Sequence, residues 1–242
     1  PAGVRDDRHE DALGRGLRHR HATMPEQVVH ERAARTGFDV PQQHIAVAAV
    51  TPDVMVDDQA QHAVSLGRGL AGIRVGQRQQ GDELDVALFV HQKILKTLAA
   101  DDPVERLHDG NLDAFWIALE GVSHFLYLVC NACAGRSVRL LEMELQAEVD
   151  KYILAAFLFG RQLRGLVPKA LYRQLFHAAR FDARLNAAER HRYQSANYFA
   201  GRFCSYIEKE FLKPGARSGL VNTLRRFYRL TQQRKIKAIR HL

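Results

Sequence analysis

The chain has 242 residues, 46% of them hydrophobic, which is length for one large domain or two small ones and apolar content for a core; disorder throughout is excluded. Its formal charge of +8 is unevenly spread: residues 1–126 hold 13 Lys or Arg against 19 Asp or Glu, while residues 127–242 hold 22 against 8. A basic half of that strength points to a polyanionic partner, or to attraction between the two halves.

Three cysteines, Cys130, Cys133 and Cys204, make an odd set without a secretory leader, so a reducing, cytoplasmic setting is expected rather than a disulfide framework. No stretch reaches the ~20 uninterrupted apolar residues that span a bilayer. The best candidate, Ala114 to Cys130, is broken by Glu120 and His124, and no membrane contact is expected. Arg outnumbers Lys 27 to 8, and no Lys precedes Lys93, no Asn Asn111 and no Tyr Tyr127. GC-rich DNA yields such a profile. Together with a first residue that is Pro1, it leaves two expectations open: an ordinary gene clipped at its start, or a fragment whose first half is an unselected translation.

Residues 1–22 mix Arg, His, Asp and Gly without an apolar period and are expected to form a disordered tail. A region of mixed α/β character, poorly defined, is expected over 23–134. Thr23-Met24-Pro25-Glu26 starts a helix to about Arg35, with a capping Thr and Pro in the first turn. His44–Val50 and Asp53–Val56 read as strands. Glycines dominate Ser65 to Asp82 and predict a loop. Leu84–Val90 is either a buried strand or the start of a helix continuing through Leu98. Phe115–Leu119 and Phe125–Val129 flank Gly121 with the same ambiguity.

After Gly135 helical signals take over, and residues 135–242 are predicted to form a helical bundle, so the whole is mainly α. Ser137 is placed to cap a helix carrying Val138, Leu141, Leu145, Val149, Ile153 and Phe157 on one stripe. Pro168 opens a second, with Leu171 and Leu175 on one side. Asn186 and Glu189 have capping-box spacing ahead of Tyr193, Ala196, Ala200, Phe203, Ile207 and Phe211, a stripe for a helix to Leu212. A last helix from Ser218 carries Leu220, Leu224 and Phe227 into the basic end.

Motifs for catalysis are incomplete. Gly67-Arg68-Gly69-Leu70-Ala71-Gly72 fits G-x-G-x-x-G, yet Gly76 and Gly81 follow where a helix should run. Gly121-Val122-Ser123-His124-Phe125 lacks the closing glycine of a nucleophile elbow. His30-Glu31 lacks the second His of a zinc-protease helix, His19 and His21 sit in the tail, and Asp109-Gly110-Asn111 reads as a turn. Cys130-Asn131-Ala132-Cys133 has the spacing to share one zinc ion, with His124 or Cys204 as further ligands, or to act in redox chemistry. The pattern lacks a second C-x-x-C, and no cofactor is expected. Finally, residues 213–242 hold nine Lys or Arg and no acid. That segment is expected to contact nucleic acid through Arg225, Arg226, Arg229, Arg234, Lys235 and Lys237, with Phe227 and Tyr228 placed to stack on bases. The reading is therefore a non-enzymatic helical protein with a basic nucleic-acid-binding end; the alternatives are a zinc or redox protein and a chain without evolved function in its first half.

Overall fold

The computed structural model describes residues 63–64, 73–80, 83–212 and 218–242, all within one compact unit, Pro41–Leu242. The expected tail, the helix from Thr23, the strands at 44–50 and 53–56, and the Gly67–Gly72 motif lie outside the described residues.

Three antiparallel strands open the fold: β1, Ala63–Val64, pairs with β2, Ile73–Gln80, which pairs with β3, Glu83–Val90. The loop expected over 65–82 is therefore a strand between 73 and 80. Gly76 is accommodated inside the ladder opposite Ala87, and the register runs from Ile73 opposite Val90 to Gln80 opposite Glu83. The ambiguity at Leu84–Val90 resolves to strand, and α1, Gln92–Ala100, begins only after His91, whose Nδ1 accepts the Lys93 N–H at 3.1 Å.

Helix α2 runs from Asp109 to Cys133 and absorbs both apolar segments around Gly121. Asp109-Gly110-Asn111 is its first turn, not a free turn: His108 Nδ1 accepts the Gly110 N–H, while the Asn111 side chain accepts the His108 N–H at 3.0 Å. The same helix carries Gly121 to Phe125 in its middle, so the strand-turn-helix context of a nucleophile elbow is absent there. By length and composition α2 could cross a membrane, but 44% of its most apolar stretch is buried in the protein, and Glu120, Ser123, His124 and Tyr127 are buried with it.

Helix α3, Leu140–Gln162, follows a turn at Gly135, where φ is +62°. Arg139 holds its N-cap position rather than Ser137. Leu145 and Val149 are buried as expected, but Phe157 is 58% exposed. Steps of four residues advance each side chain by about 40° around the axis, so the sixteen residues from Leu141 carry Phe157 about 160° away. The inward face instead passes through Leu145, Val149, Tyr152, Ala156 and Phe159, a mixture of threes and fours.

Helix α4, Lys169–Tyr172, starts at Pro168 and widens into a single π-turn at Arg173–His177. Helix α5, Ala187–Phe211, is the one expected from Asn186: Asn186 Oδ1 accepts the Glu189 N–H at 2.9 Å and Glu189 Oε2 accepts the Asn186 N–H at 3.0 Å. Tyr193, Ala196, Ala200, Phe203 and Ile207 are all buried. The expected last helix is two, α6 at Leu220–Tyr228 and α7 at Gln232–Arg240. The break is stabilised from outside the segment, because Glu142 Oε2 accepts the Gln232 N–H at 3.0 Å and puts negative charge at a new helix start.

The fold is mainly α, and its core is continuous: Leu112 and Trp116 of α2, Leu145 and Tyr152 of α3, Phe203 and Ile207 of α5 and Phe227 of α6 belong to one apolar cluster. The change of texture at Gly135 thus falls in a turn between two helices of one core. A second, smaller cluster joins Val86 of β3 to Tyr127 and Met143, seating the sheet on α2 and α3.

Candidate functional site

On α6 and α7, Arg225, Arg226, Arg229, Arg234 and Lys237 are exposed, as is Arg240. Phe227 and Ile239 are buried and fasten the two helices to the bundle, Phe227 by stacking on Phe203 at 3.8 Å between centroids and 14° between planes. Two expectations change here. Phe227 is unavailable for base stacking, and Tyr228 is half-buried with its ring edge-on to Tyr127 at 5.0 Å. Lys235 is fully buried, on the same face of α7 as Ile239 four residues on, and is no phosphate contact.

Lys235 sits in a polar and aromatic seat. Its Nζ donates to Gln146 Oε1 at 2.5 Å and lies over the rings of Tyr127, at 4.6 Å, and Phe227, at 4.9 Å. Burial pushes its ammonium down to about 7, against the opposing pull of Glu142 and Asp150. Glu142 ties the same region together, accepting the Tyr127 hydroxyl at 2.5 Å as well as the Gln232 N–H. Beyond the end of α2, Arg136 donates to the Arg229 carbonyl at 3.0 Å.

Beneath this seat α3 carries two polar rows. Glu142, Gln146 and Asp150 form one, at spacings of four: Gln146 donates to Asp150 Oδ1 at 2.8 Å and Ser123 donates to Oδ2 at 2.6 Å. Glu144, Glu148 and Lys151 form the other. Lys151 donates to Glu120 Oε2 at 2.6 Å and to Glu148 Oε1 at 2.8 Å. Glu144 faces His124 Nε2 at 3.3 Å and Arg192 Nε at 3.8 Å. Burial holds His124 down, to about 4; burial and the neighbouring Glu120 hold the Glu144 carboxyl up, to about 8. At neutral pH the imidazole is therefore neutral and the Glu144 carboxyl keeps its own proton, with His124 Nε2 making no hydrogen bond across the 3.3 Å contact. Hydrogen-bond chemistry agrees: His124 Nδ1 lies 3.0 Å from the Glu120 carbonyl, to which it can only donate, leaving Nε2 as the acceptor side. Four buried carboxyls and the partly buried Asp150 thus face Lys151, Lys235 and Arg192, and the upward shifts of Glu144 and Asp150 relieve the excess of acid.

These rows were missed by periodicity because Glu142, Glu144, Gln146, Glu148 and Asp150 are two residues apart. Two residues turn a helix by about 200°, so the alternation places polar groups on opposite sides at once. A helix so patterned cannot turn all of them to water, which was the available signal.

The thiols and the imidazole expected as a ligand set are parted. Cys130 and Cys133 are exposed on the last turn of α2, whereas His124 is buried and aimed at Glu144. Among the described residues no group of three His, Cys, Asp or Glu is arranged to hold a metal ion. The C-x-x-C pair ends a helix instead of starting one, and burial raises the Cys133 thiol above its ordinary value. Elsewhere a cleft of about 300 Å³ lies between Leu107, His108, Phe159, Pro168 and Gln174. His108 cannot serve there as a base, since Nδ1 accepts the Gly110 N–H and Nε2 faces Asp101 at 2.9 Å.

The chain matches no family model, no curated protein and no solved structure.

Proposed function

We propose that α6 and α7 form a non-enzymatic nucleic-acid-binding surface, acting in the cytoplasm, with Arg225, Arg226, Arg229, Arg234 and Lys237 as phosphate contacts. The observation that carries this reading is the exposure of all five on two short helices and the residue that caps the first, a stretch that contains no acid. Their inward side chains, Phe227, Lys235 and Ile239, are held in the bundle, so the cations are presented on a fixed base. Contact is with the backbone: neutralising phosphates releases counterions, and with Phe227 buried no aromatic platform favours unpaired bases.

The test is fluorescence anisotropy with a labelled DNA duplex across a salt series. Five phosphate contacts give a slope of log affinity on log salt of about −4.5, at roughly −0.9 per contact. Duplex and single strand are expected to bind comparably. Replacing the five by Gln is expected to abolish binding; unchanged affinity would refute the assignment.

A further inference from the structure

We infer that Cys130 and Cys133 form an oxidisable dithiol whose closure into a disulfide loosens α6 from the end of α2, linking the basic surface to thiol redox state. The chemistry stands on the thiols alone; its consequence for nucleic acid rests on the reading above.

Of the three cysteines, these two are exposed, three residues apart on one helix turn, and Cys204 is buried with its thiol pushed well up. In a regular helix Cα atoms three residues apart are separated by about 5 Å, inside the span a disulfide bridges. The Cβ atoms are splayed around the axis and lie too far apart, so the bond forms only if the last turn unwinds. This is the turn free to do so: Cys133 is the final residue of α2, and Gly135 follows in the left-handed region at φ +62°. Past the last helical residue the chain is closed by three main-chain bonds, Ala134 N–H and Arg136 N–H to the Asn131 carbonyl and Gly135 N–H to that of Ala132, and these are what unwinding must break.

What the turn holds makes its unwinding consequential. The Cys130 thiol lies beside the Tyr228 hydroxyl and, after burial, helps hold that phenol above its ordinary value; Tyr228 is the last residue of α6. Arg136, just past the turn, donates to the Arg229 carbonyl. Joining Sγ of Cys130 to Sγ of Cys133 turns the Cys130 sulfur away from Tyr228 and draws off the backbone that carries the Arg136 bond. The oxidant is a small-molecule disulfide. One protein thiolate attacks it and expels one small thiolate; the other protein thiolate attacks the mixed disulfide and expels the second. The pair loses two electrons, the oxidant is reduced to two thiols, and the two protein protons pass to the leaving thiolates.

The experiment uses the full chain equilibrated with oxidised glutathione, then alkylated and read by mass spectrometry, with hydrogen exchange measured on reduced and oxidised samples. A loss of two mass units in the peptide containing Cys130 and Cys133 is expected, with Cys204 unlinked. Amides of 220–228 are expected to exchange faster by about tenfold, the scale of one or two lost hydrogen bonds, while the middle of α5 is unchanged. The C130S/C133S variant, which keeps a hydroxyl at both positions, should show no response to oxidant. Glutathione adducts without an internal disulfide would overturn the inference, and so would a disulfide that leaves exchange in α6 unaltered. If the reduced protein fails to bind duplex, the functional reading falls while mass and exchange still decide the dithiol.

Discussion

Replacing Lys235 by Met tests the seat of α7 directly. The ammonium is depressed from 10.5 to about 7 by burial, so between those values the unfolded chain binds a proton that the folded protein does not. Stability contributed by this group therefore rises with pH, fully present above 10.5 and lost as pH falls through 7. The whole shift corresponds to about 5 kcal/mol, of which roughly 3 kcal/mol falls between pH 6 and pH 9. Met fills a similar volume without a titrating group, at the cost of leaving Gln146 Oε1 without its donor. Urea denaturation of the native protein and K235M at intervals from pH 6 to pH 9 gives the difference in unfolding free energy, in which all other titrations cancel. That difference should move by roughly 3 kcal/mol in favour of the native protein as pH rises. Parallel pH profiles would mean that Lys235 is solvated, and the inward placement of this side chain would be wrong. The same variant should keep the full salt slope with duplex DNA, whereas R229Q should lower it by about 0.9.

Glu144 titrates in the opposite sense: its carboxyl is held up from 4.5 to about 8, so stability is lost as pH rises through that window, and E144Q should flatten the decline in a thermal melt series. An unchanged slope between pH 4.5 and pH 8 would count against the His124–Glu144 arrangement. N186A removes a cap that accepts the Glu189 N–H and should cost about 1 kcal/mol, or about 2–4 °C in Tm. F203A empties the stack under Phe227 and should cost about 3–5 kcal/mol in chemical denaturation; a loss below about 1 kcal/mol would place Phe203 outside the core. Cleaving the link from Glu142 to both Tyr127 and Gln232 with E142A should accelerate exchange in α7 before that in α5, because its start loses its only side-chain acceptor.

Helix α5 was legible residue by residue, since a capping box and an apolar stripe are local: both depend on neighbours three or four positions away, and those neighbours are in the same stretch of chain. The start of α2 was less so. Its cap is His108, which is not among the preferred capping residues, and reciprocity with Asn111 emerges only once the backbone has turned. The strand over 73–80 was hidden because its one glycine, Gly76, was read together with the glycines on either side of it, whereas the ladder with 83–90 carries Gly76 opposite Ala87, and that partner is not visible in the segment itself.

Sequence alone determined that the second half is helical, where α5 begins and ends, and that the C-terminal segment is cationic, because propensity, capping and net charge are sums over nearby residues. Tertiary structure alone decided which of those cations face water. Lys235 and Arg234 are adjacent and alike in charge, yet one turns outward while the other finds Gln146 and the ring of Tyr127, residues roughly ninety and a hundred positions earlier. A rotation of 100° per residue separates the two, and only the packing of α7 on α3 and α5 sets the phase of that rotation.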